Sequence, residues 1–534
     1  VILRLLIFFS SFFEELILQE RGTQSKRPQP TLKLKSVLIR SGFTSPVELE
    51  MRFVTGLPGI LFLGSPDTSL KETAIRIKSA IRGSGFEVPR GKQLIVDLSP
   101  REEKKAAHGL DLAVCIGFLI LSGQIEKQNW SESVIYGDVR LGGEVVAPDD
   151  WGKARLFSRS PFVTGHLSSK SDFFSDDSMA QLFSITSLAE LKNHDPQGMR
   201  SEKLTSSNET SPIRTASLSV PPWFSNLRFT SEVSRLAACM ALGGHPTLLA
   251  GPPGTGKSTL ARIVHHLRPR PSEELSREIL LWRVADQTEL PWGDRPLMEP
   301  HHSTSQLAMV GGGRPVRSGV VTRAHGGTLL MDEVLLFRPE VQEALREPLE
   351  TGEIKIARGS QWRGMPADFQ LIGTTNLCGC GKYTPDHPEN CHCASRIRAR
   401  FEERLRGPFV DRFQILAFTD SWRKGKLDVS LSDIHQVVTA ARRFQQSRSR
   451  PEEVGLENRH WRPSEMEISK LSANLGSLSR ELGLSERRRL SVFRLARTLA
   501  DLDQSHEIRT CDVDEALQFA ARSFQSLLSG SGAP

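Results

Sequence analysis

The spacing of apolar positions changes character along the chain, and each change predicts a different kind of element. From about Lys33 to Trp151, the runs KLKSVLIR, VELEMRFV and GKQLIVDLS read as strands, while Ser69 to Ser84 has the wider period of a helix. Together they predict a compact α/β unit over 33–167. Between 168 and 222 the composition shifts to Ser, Asp, Asn and Thr, as in SSKSDFFSDDS and LTSSNETSPIRTASLSVPP, which predicts a linker holding one short helix. From 223 to 427 strands and helices alternate in the manner of a doubly wound parallel sheet, and 428–534 turns helical, as in a lid.

The first 32 residues fit none of these patterns. Their apolar run, Leu5 to Phe9 with Phe12 and Phe13, is broken by Glu14 and Glu15, and no clear basic start or small-residue cleavage site marks a signal peptide. They are read as an upstream extension or the product of a misassigned start codon, with the folded protein beginning near Lys33. No other stretch reaches the ~18 consecutive apolar residues of a spanning helix, so a cytoplasmic chain with no membrane partner is expected.

Size and charge sharpen this picture. At 534 residues, 38% of them hydrophobic and 25% charged, the chain suits roughly three to four folded units rather than long disorder. Lys and Arg (69) outnumber Asp and Glu (62), which fits either an anionic partner such as nucleic acid or an ordinary basic protein. The cysteines do not form a disulfide scaffold: Cys115, Cys239 and Cys511 are scattered in apolar or helical contexts, whereas Cys378, Cys380, Cys391 and Cys393 crowd one short segment.

Candidate chemistry begins at HPTLLAGPPGTGKSTLARIV. An apolar strand, Thr247 to Ala250, runs directly into Gly251-Pro252-Pro253-Gly254-Thr255-Gly256-Lys257-Ser258-Thr259 and then a helix. That context is what a phosphate-binding loop requires. The glycines let backbone N–H groups wrap the phosphates of ATP, Lys257 neutralises the β- and γ-phosphates, Ser258 ligates Mg²⁺, and the helix N-terminus faces negative charge. A second apolar strand, GGTLLMDE, ends in Asp332 and Glu333. Carboxylates at a buried strand's end are costly unless they serve a metal or a proton, so Asp332 is expected to orient Mg²⁺ and Glu333 to polarise the attacking water. A third strand, Phe369 to Thr374, leads to Asn376, whose amide could hold that water; Asn is also common at strand ends for turn reasons.

Directly after it come Cys378-x-Cys380 and Cys391-x-Cys393, with Gly379, Gly381, Pro385 and Pro388 between. Four thiolates so spaced can close a tetrahedral Zn²⁺ site, and a loop this polar has little core to fold around without one. The alternatives are four reduced thiols, or His387 or His392 in place of one sulfur. His301 and His302 are expected to pack or to lie at a subunit interface rather than to bind metal.

With these motifs in place, the chain resembles the ComM (YifB) family of magnesium-chelatase-like AAA+ proteins, from about Lys33 to Ala520. The resemblance rests on Gly243-Gly244-His245, Arg295-Pro296, Pro300-His301-His302-Ser303, Gly311-Gly312-Gly313, Ala324-His325-Gly326-Gly327 and EALREPLETGEIKIAR. In the N-terminal unit GLPGILFLGSPDTSLKE, SGFEVPRG and YGDVRLGGEV resemble the Lon-protease-like domain that precedes the motor in this family. The resemblance implies a ring-forming homo-hexameric ATPase that moves branched or single-stranded DNA and promotes branch migration in recombination or natural transformation. It further implies that Arg412, in VDRF, is the finger reaching a neighbour's γ-phosphate and that Arg487 is a second sensor. Arg497 reads equally as an ion-pair residue, and Arg396 to Arg400 as a solvated face, with Arg404 and Arg406 as further candidates. The chain departs from the family in FSNLRFTSEVSR and at Leu297-Met298-Glu299. A chelatase motor subunit acting on a protein partner is the alternative. An ATP-dependent protease is not expected, because in KKAAHGLDL Gly109 falls where the nucleophilic serine of a Ser–Lys pair would stand.

Overall fold

In the computed structural model the described residues are 31–40, 43–63, 68–99, 108–127, 130–158, 160–166, 181–192, 224, 226–283, 290–313, 316–358, 361–383, 388–405, 407–419, 422, 426–449, 457–464, 467–468 and 484–522. The N-terminal extension, Pro385, His387 and Arg406 lie outside them. The chain divides into two compact units, 1–208 and 209–534.

The first unit is built on a seven-stranded mixed sheet. Its spatial order is Gly59–Phe62, Lys92–Ser99, Phe43–Thr55, Leu32–Arg40, Val134–Ile135, Phe162–Gly165 and Leu182–Ile185. Leu32–Arg40 and Phe43–Thr55 form an antiparallel hairpin whose alternate residues, Leu34, Leu49 and Met51 among them, are fully buried. The amphipathic helix Thr68–Gly83 is where the periodicity put it.

Two features differ from the sequence reading. The helix Asp111–Leu121, apolar after its first residue and with Asp111 to Leu119 buried, was not anticipated, because a helix buried on every side has no amphipathic period. The segment read as a linker contributes Leu182–Ile185 as the outer parallel strand, followed by the short 3-10 helix Leu188–Lys192; a four-residue strand with three residues buried leaves little pattern within a polar stretch.

The second unit carries a five-stranded sheet, ordered Leu297–Met298, Thr328–Met331, Gln370–Thr375, Thr247–Ala250 and Ile415–Phe418, all pairs parallel. Alternate residues feed two cores. Leu249, Leu330, Ile372 and Ile415 join one, and Leu248, Leu329, Leu371 and Leu416 the other. Both faces are therefore covered, as parallel sheets require.

The first of these cores also takes in the helices Leu431–Arg448, Glu486–Leu502 and Thr510–Leu517, so motor and lid share one compact unit. His245 pins the two together: its ring contacts Gln414 at 2.6 Å and Thr498 of the lid at 2.7 Å, and complete burial pulls its pKa down to about 4. Among the described residues no helix is long and apolar enough to cross a membrane.

Candidate functional site

The C-terminal ends of three adjacent strands converge on one place, the position where open parallel sheets bind ligands. The central strand Thr247–Ala250 opens into the loop 251–256 and the helix Lys257–Leu267. Gly254 and Gly256 hold φ of 76° and 94°, the left-handed region that lets successive amides face inward. Lys257 is 7% exposed and donates to the carbonyls of Gly251 (2.7 Å) and Pro252 (2.8 Å) and to Asn376 Oδ1 (3.1 Å). Burial pulls its pKa down, against the opposing pull of Glu333 and Asp332. Thr255 bonds Pro252 O and meets Thr419 at 2.6 Å, while Thr259 follows on the first turn of the helix.

The neighbouring strand Thr328–Met331 delivers the carboxylates. Asp332 Oδ1 accepts from Ser258 Oγ at 2.9 Å and from Thr374 Oγ1, so the two residues expected to hold Mg²⁺ already touch. Glu333 sits at φ 52°, an uncommon conformation for a residue with a side chain. Its backbone N–H donates to Thr374 Oγ1 (3.0 Å), and its carboxylate accepts from Asn376 Nδ2 (2.7 Å) and from Asn376 N (3.2 Å). Asn376, whose amide was expected to hold the attacking water, therefore spans Lys257 and Glu333 and clamps the carboxylate. The cluster sets a buried cation, Lys257, against the half-buried Glu333 and Asn376 and the exposed Asp332, beside a cradle of amides, chemistry suited to a triphosphate with a divalent cation. Thr374 and Thr419 were not singled out in the sequence; a hydroxyl at a strand's end gives no signal until the strand order is known.

Arg412 and Arg487 lie elsewhere. Arg412 donates to Pro408 O (2.9 Å) and Glu350 Oε1 (2.6 Å), and Arg487 reaches the same Glu350 oxygen at 2.6 Å, with Asp411 at 3.6 Å. The structure brings these two arginines together on one carboxylate, and their described contacts include none of Lys257, Glu333 or Asn376. Arg497 is paired with Asp501 and bonded to the carbonyls of Ser505 and His506. Arg404 donates to Leu335 O at 2.8 Å, and Arg396 and Arg400 are exposed on the helix Ser395–Leu405. His301 and His302 are exposed and lie ring to ring, centroids 4.0 Å apart.

The four clustered cysteines converge as well. Their sulfurs all lie within 4.8 Å of one another, with Cys378 and Cys380 at 3.3 Å and Cys380 and Cys391 at 3.7 Å. Tetrahedral zinc thiolates at ~2.3 Å imply sulfurs about 3.8 Å apart. Backbone amides already point at the sulfurs: Tyr383 N at Cys378 (3.3 Å) and Cys380 N at Cys393 (3.2 Å). Amides of Lys382 and His392 draw Cys380 down to about 6, whereas burial first, then the neighbouring thiols, push Cys391 up to about 12. The donor set fits a thiophilic cation that would let all four ionise.

In the N-terminal unit Gly109, at φ 77°, leaves no room for a nucleophilic side chain: a Cβ there would stand 2.1 Å from the Tyr136 ring. His108 beside it lies 3.2 Å from Asp138 and 3.7 Å from Asp150.

Comparison with known proteins agrees with this layout. A family model described as magnesium chelatase, subunit ChlI, matches residues 224–427; one for subunit ChlI of Mg-chelatase matches 49–149, and one for the ChlI C-terminal part matches 429–520. The uncharacterized protein YifB of Escherichia coli is 30% identical over 500 residues, covering 89% of this chain and 94% of its own. The competence protein ComM of Haemophilus influenzae is 28% identical over 496 residues, with 89% and 94% covered. An uncharacterized protein of Mycobacterium tuberculosis is 32% identical over 511 residues, with 91% and 97% covered.

Proposed function

We propose, from the premise that this chain belongs to the magnesium-chelatase-like ComM/YifB family, that it is an ATP-hydrolysing ring motor acting on DNA. The observation that carries the ATPase reading is the bonded chain Ser258, Asp332, Thr374, Glu333, Asn376 and Lys257, assembled from three strands around one phosphate-binding loop. Lys257 and the loop amides hold the phosphates of ATP. Ser258 and Asp332 hold Mg²⁺, which when bound supplies charge neutralisation on the phosphate oxygens. Glu333 takes the proton of the attacking water once Asn376 yields its carboxylate, and Asn376 then orients that water.

The described contacts of Arg412 and Arg487 include no residue of their own subunit's loop, and a homo-hexamer in which Arg412 serves the neighbouring site is an arrangement that would use it. ComM is by name a competence protein, and similarity over nearly its whole length supports DNA as the substrate, with branch migration in recombination or transformation as the task. The cysteine cluster is assigned to Zn²⁺ as a structural site.

A chelatase motor subunit is the second reading, favoured by the description of all three family models. ATP turnover measured alone, with forked DNA and with four-way DNA separates the two. Stimulation by branched DNA is expected of the DNA motor, and turnover indifferent to every DNA overturns that reading.

A further inference from the structure

The cysteine cluster and the phosphate-binding loop touch, and neither zinc binding nor phosphate binding by itself requires that they should. One link runs along the chain. Asn376 is separated from Cys378 by Leu377 alone, and both Leu377 and Cys378 are buried, 2% and 1% exposed, so the amide and the first sulfur belong to one packed segment.

The other link runs through space. Gly381, one residue after Cys380, holds φ of 75°, and its N–H donates to Cys378 O at 3.1 Å, closing a turn over the first pair of sulfurs. That turn lays the Gly381 backbone against the loop proline. A Cβ built on Gly381 would stand 2.8 Å from Pro253 Cδ, 3.2 Å from Pro253 Cγ and 3.9 Å from Asn376 Cγ. A residue inside the ligand turn thus abuts a residue inside the phosphate loop, with the amide that holds Glu333 beside both.

We propose that Gly381 is a positioning residue through which zinc at the four cysteines and nucleotide at the phosphate-binding loop of the same subunit favour each other's binding. The inference rests on the zinc reading of the cluster. A metal joins the 378–380 and 391–393 halves, whose described hydrogen-bonding contacts run through sulfur, and so fixes the turn carrying Gly381. Fixing that turn fixes one wall of Pro253 and the path into Asn376. Because coupling between two bound ligands is reciprocal, whatever factor zinc contributes to nucleotide affinity, nucleotide returns to zinc affinity, typically about 5–150-fold.

The test is the loss of zinc from the full chain to a zinc-selective chromogenic chelator, with and without a saturating non-hydrolysable ATP analogue and Mg²⁺. Wild-type protein is expected to hold zinc about 5–150-fold more tightly with the analogue present, and Lys257→Ala to show no such gain. Gly381→Ala, whose methyl group must displace the Pro253 ring, is expected to keep zinc yet lose the gain. If that variant does not hold zinc, Pro253→Ala decides: removing the ring Gly381 meets should leave zinc bound and shrink the gain. Zinc retention unchanged by analogue in wild-type protein, with analogue binding verified, overturns the coupling alone, as does a full gain in both variants. Wild-type protein that takes up no zinc overturns the zinc reading and the coupling together.

Discussion

Thr374→Val tests the strand-end network at a hydroxyl that bonds both Asp332 and the backbone of Glu333. Thr374 is fully buried; its hydroxyl donates to Asp332 Oδ1 and accepts the backbone N–H of Glu333 at 3.0 Å. Valine keeps nearly the same shape and removes both interactions. A buried N–H left without a partner costs ~1–3 kcal/mol, and a hydrogen bond to a charged group contributes ~1.5–3 kcal/mol. Glu333 is held at φ 52°, and the loss falls on the group that keeps it there. If about 1.4–2.8 kcal/mol of this appears in the transition state, kcat falls by about tenfold to a hundredfold. Nucleotide affinity should change only a few-fold, because Lys257 and the loop amides remain. Steady-state ATPase kinetics, with nucleotide titration and a denaturation midpoint on the same preparation, separate these terms. Thr374→Ser is expected to restore most of the rate. A valine variant that folds normally and turns over ATP at the wild-type rate refutes the argument.

Lys257→Ala should abolish nucleotide binding, whereas Glu333→Gln should bind ATP and fail to turn it over; wild-type hydrolysis by either removes the assignment. Replacing Cys378 and Cys391 by Ser should remove the roughly one zinc per chain expected on metal analysis of wild-type protein kept under reducing conditions. Arg412→Ala should bind ATP yet hydrolyse it ~10³–10⁵-fold more slowly, and mixing it with Lys257→Ala subunits should restore part of the activity, since an intact loop then meets an intact Arg412 at some interfaces. His245 is neutral in the fold, with a pKa of about 4 against about 6.5 when unfolded. The unfolded chain therefore binds the proton first, so this stabilisation is complete above pH 6.5 and drains away as pH falls toward 4, roughly 3 kcal/mol in all. Urea unfolding at several pH values should show a smaller acid loss in His245→Asn.

What the sequence could and could not reveal follows from how far apart in the chain the interacting groups stand. The phosphate loop was legible because its whole chemistry is local: Thr247–Ala250, the glycines, Lys257 and Ser258 are consecutive. The carboxylates at Asp332 and Glu333 were legible because polar groups ending an all-apolar strand call for a reason wherever the strand lies. The bond from Asn376 to Glu333 was not, since it exists only because Gln370–Thr375 pairs between the other two strands, and sequence spacing carries no strand order. The same holds for Arg412 and Arg487, whose common carboxylate, Glu350, reads in the sequence as one more charge on a polar helix.

Gly381 is the most instructive case. Between cysteines a glycine reads as a turn residue, and Gly381 does close a turn, its N–H donating to Cys378 O at 3.1 Å. Its second constraint, the Pro253 ring standing where a side chain would begin, comes from a segment more than a hundred residues earlier in the sequence. A position that serves its own loop and a distant one at once shows a single preference in sequence, so its double role emerges only when both loops are seen against the same strand ends. What the structure itself gives is one close approach, the Gly381 backbone of the cysteine turn against the Pro253 ring of the loop 251–256, and the proposed coupling stands on that contact.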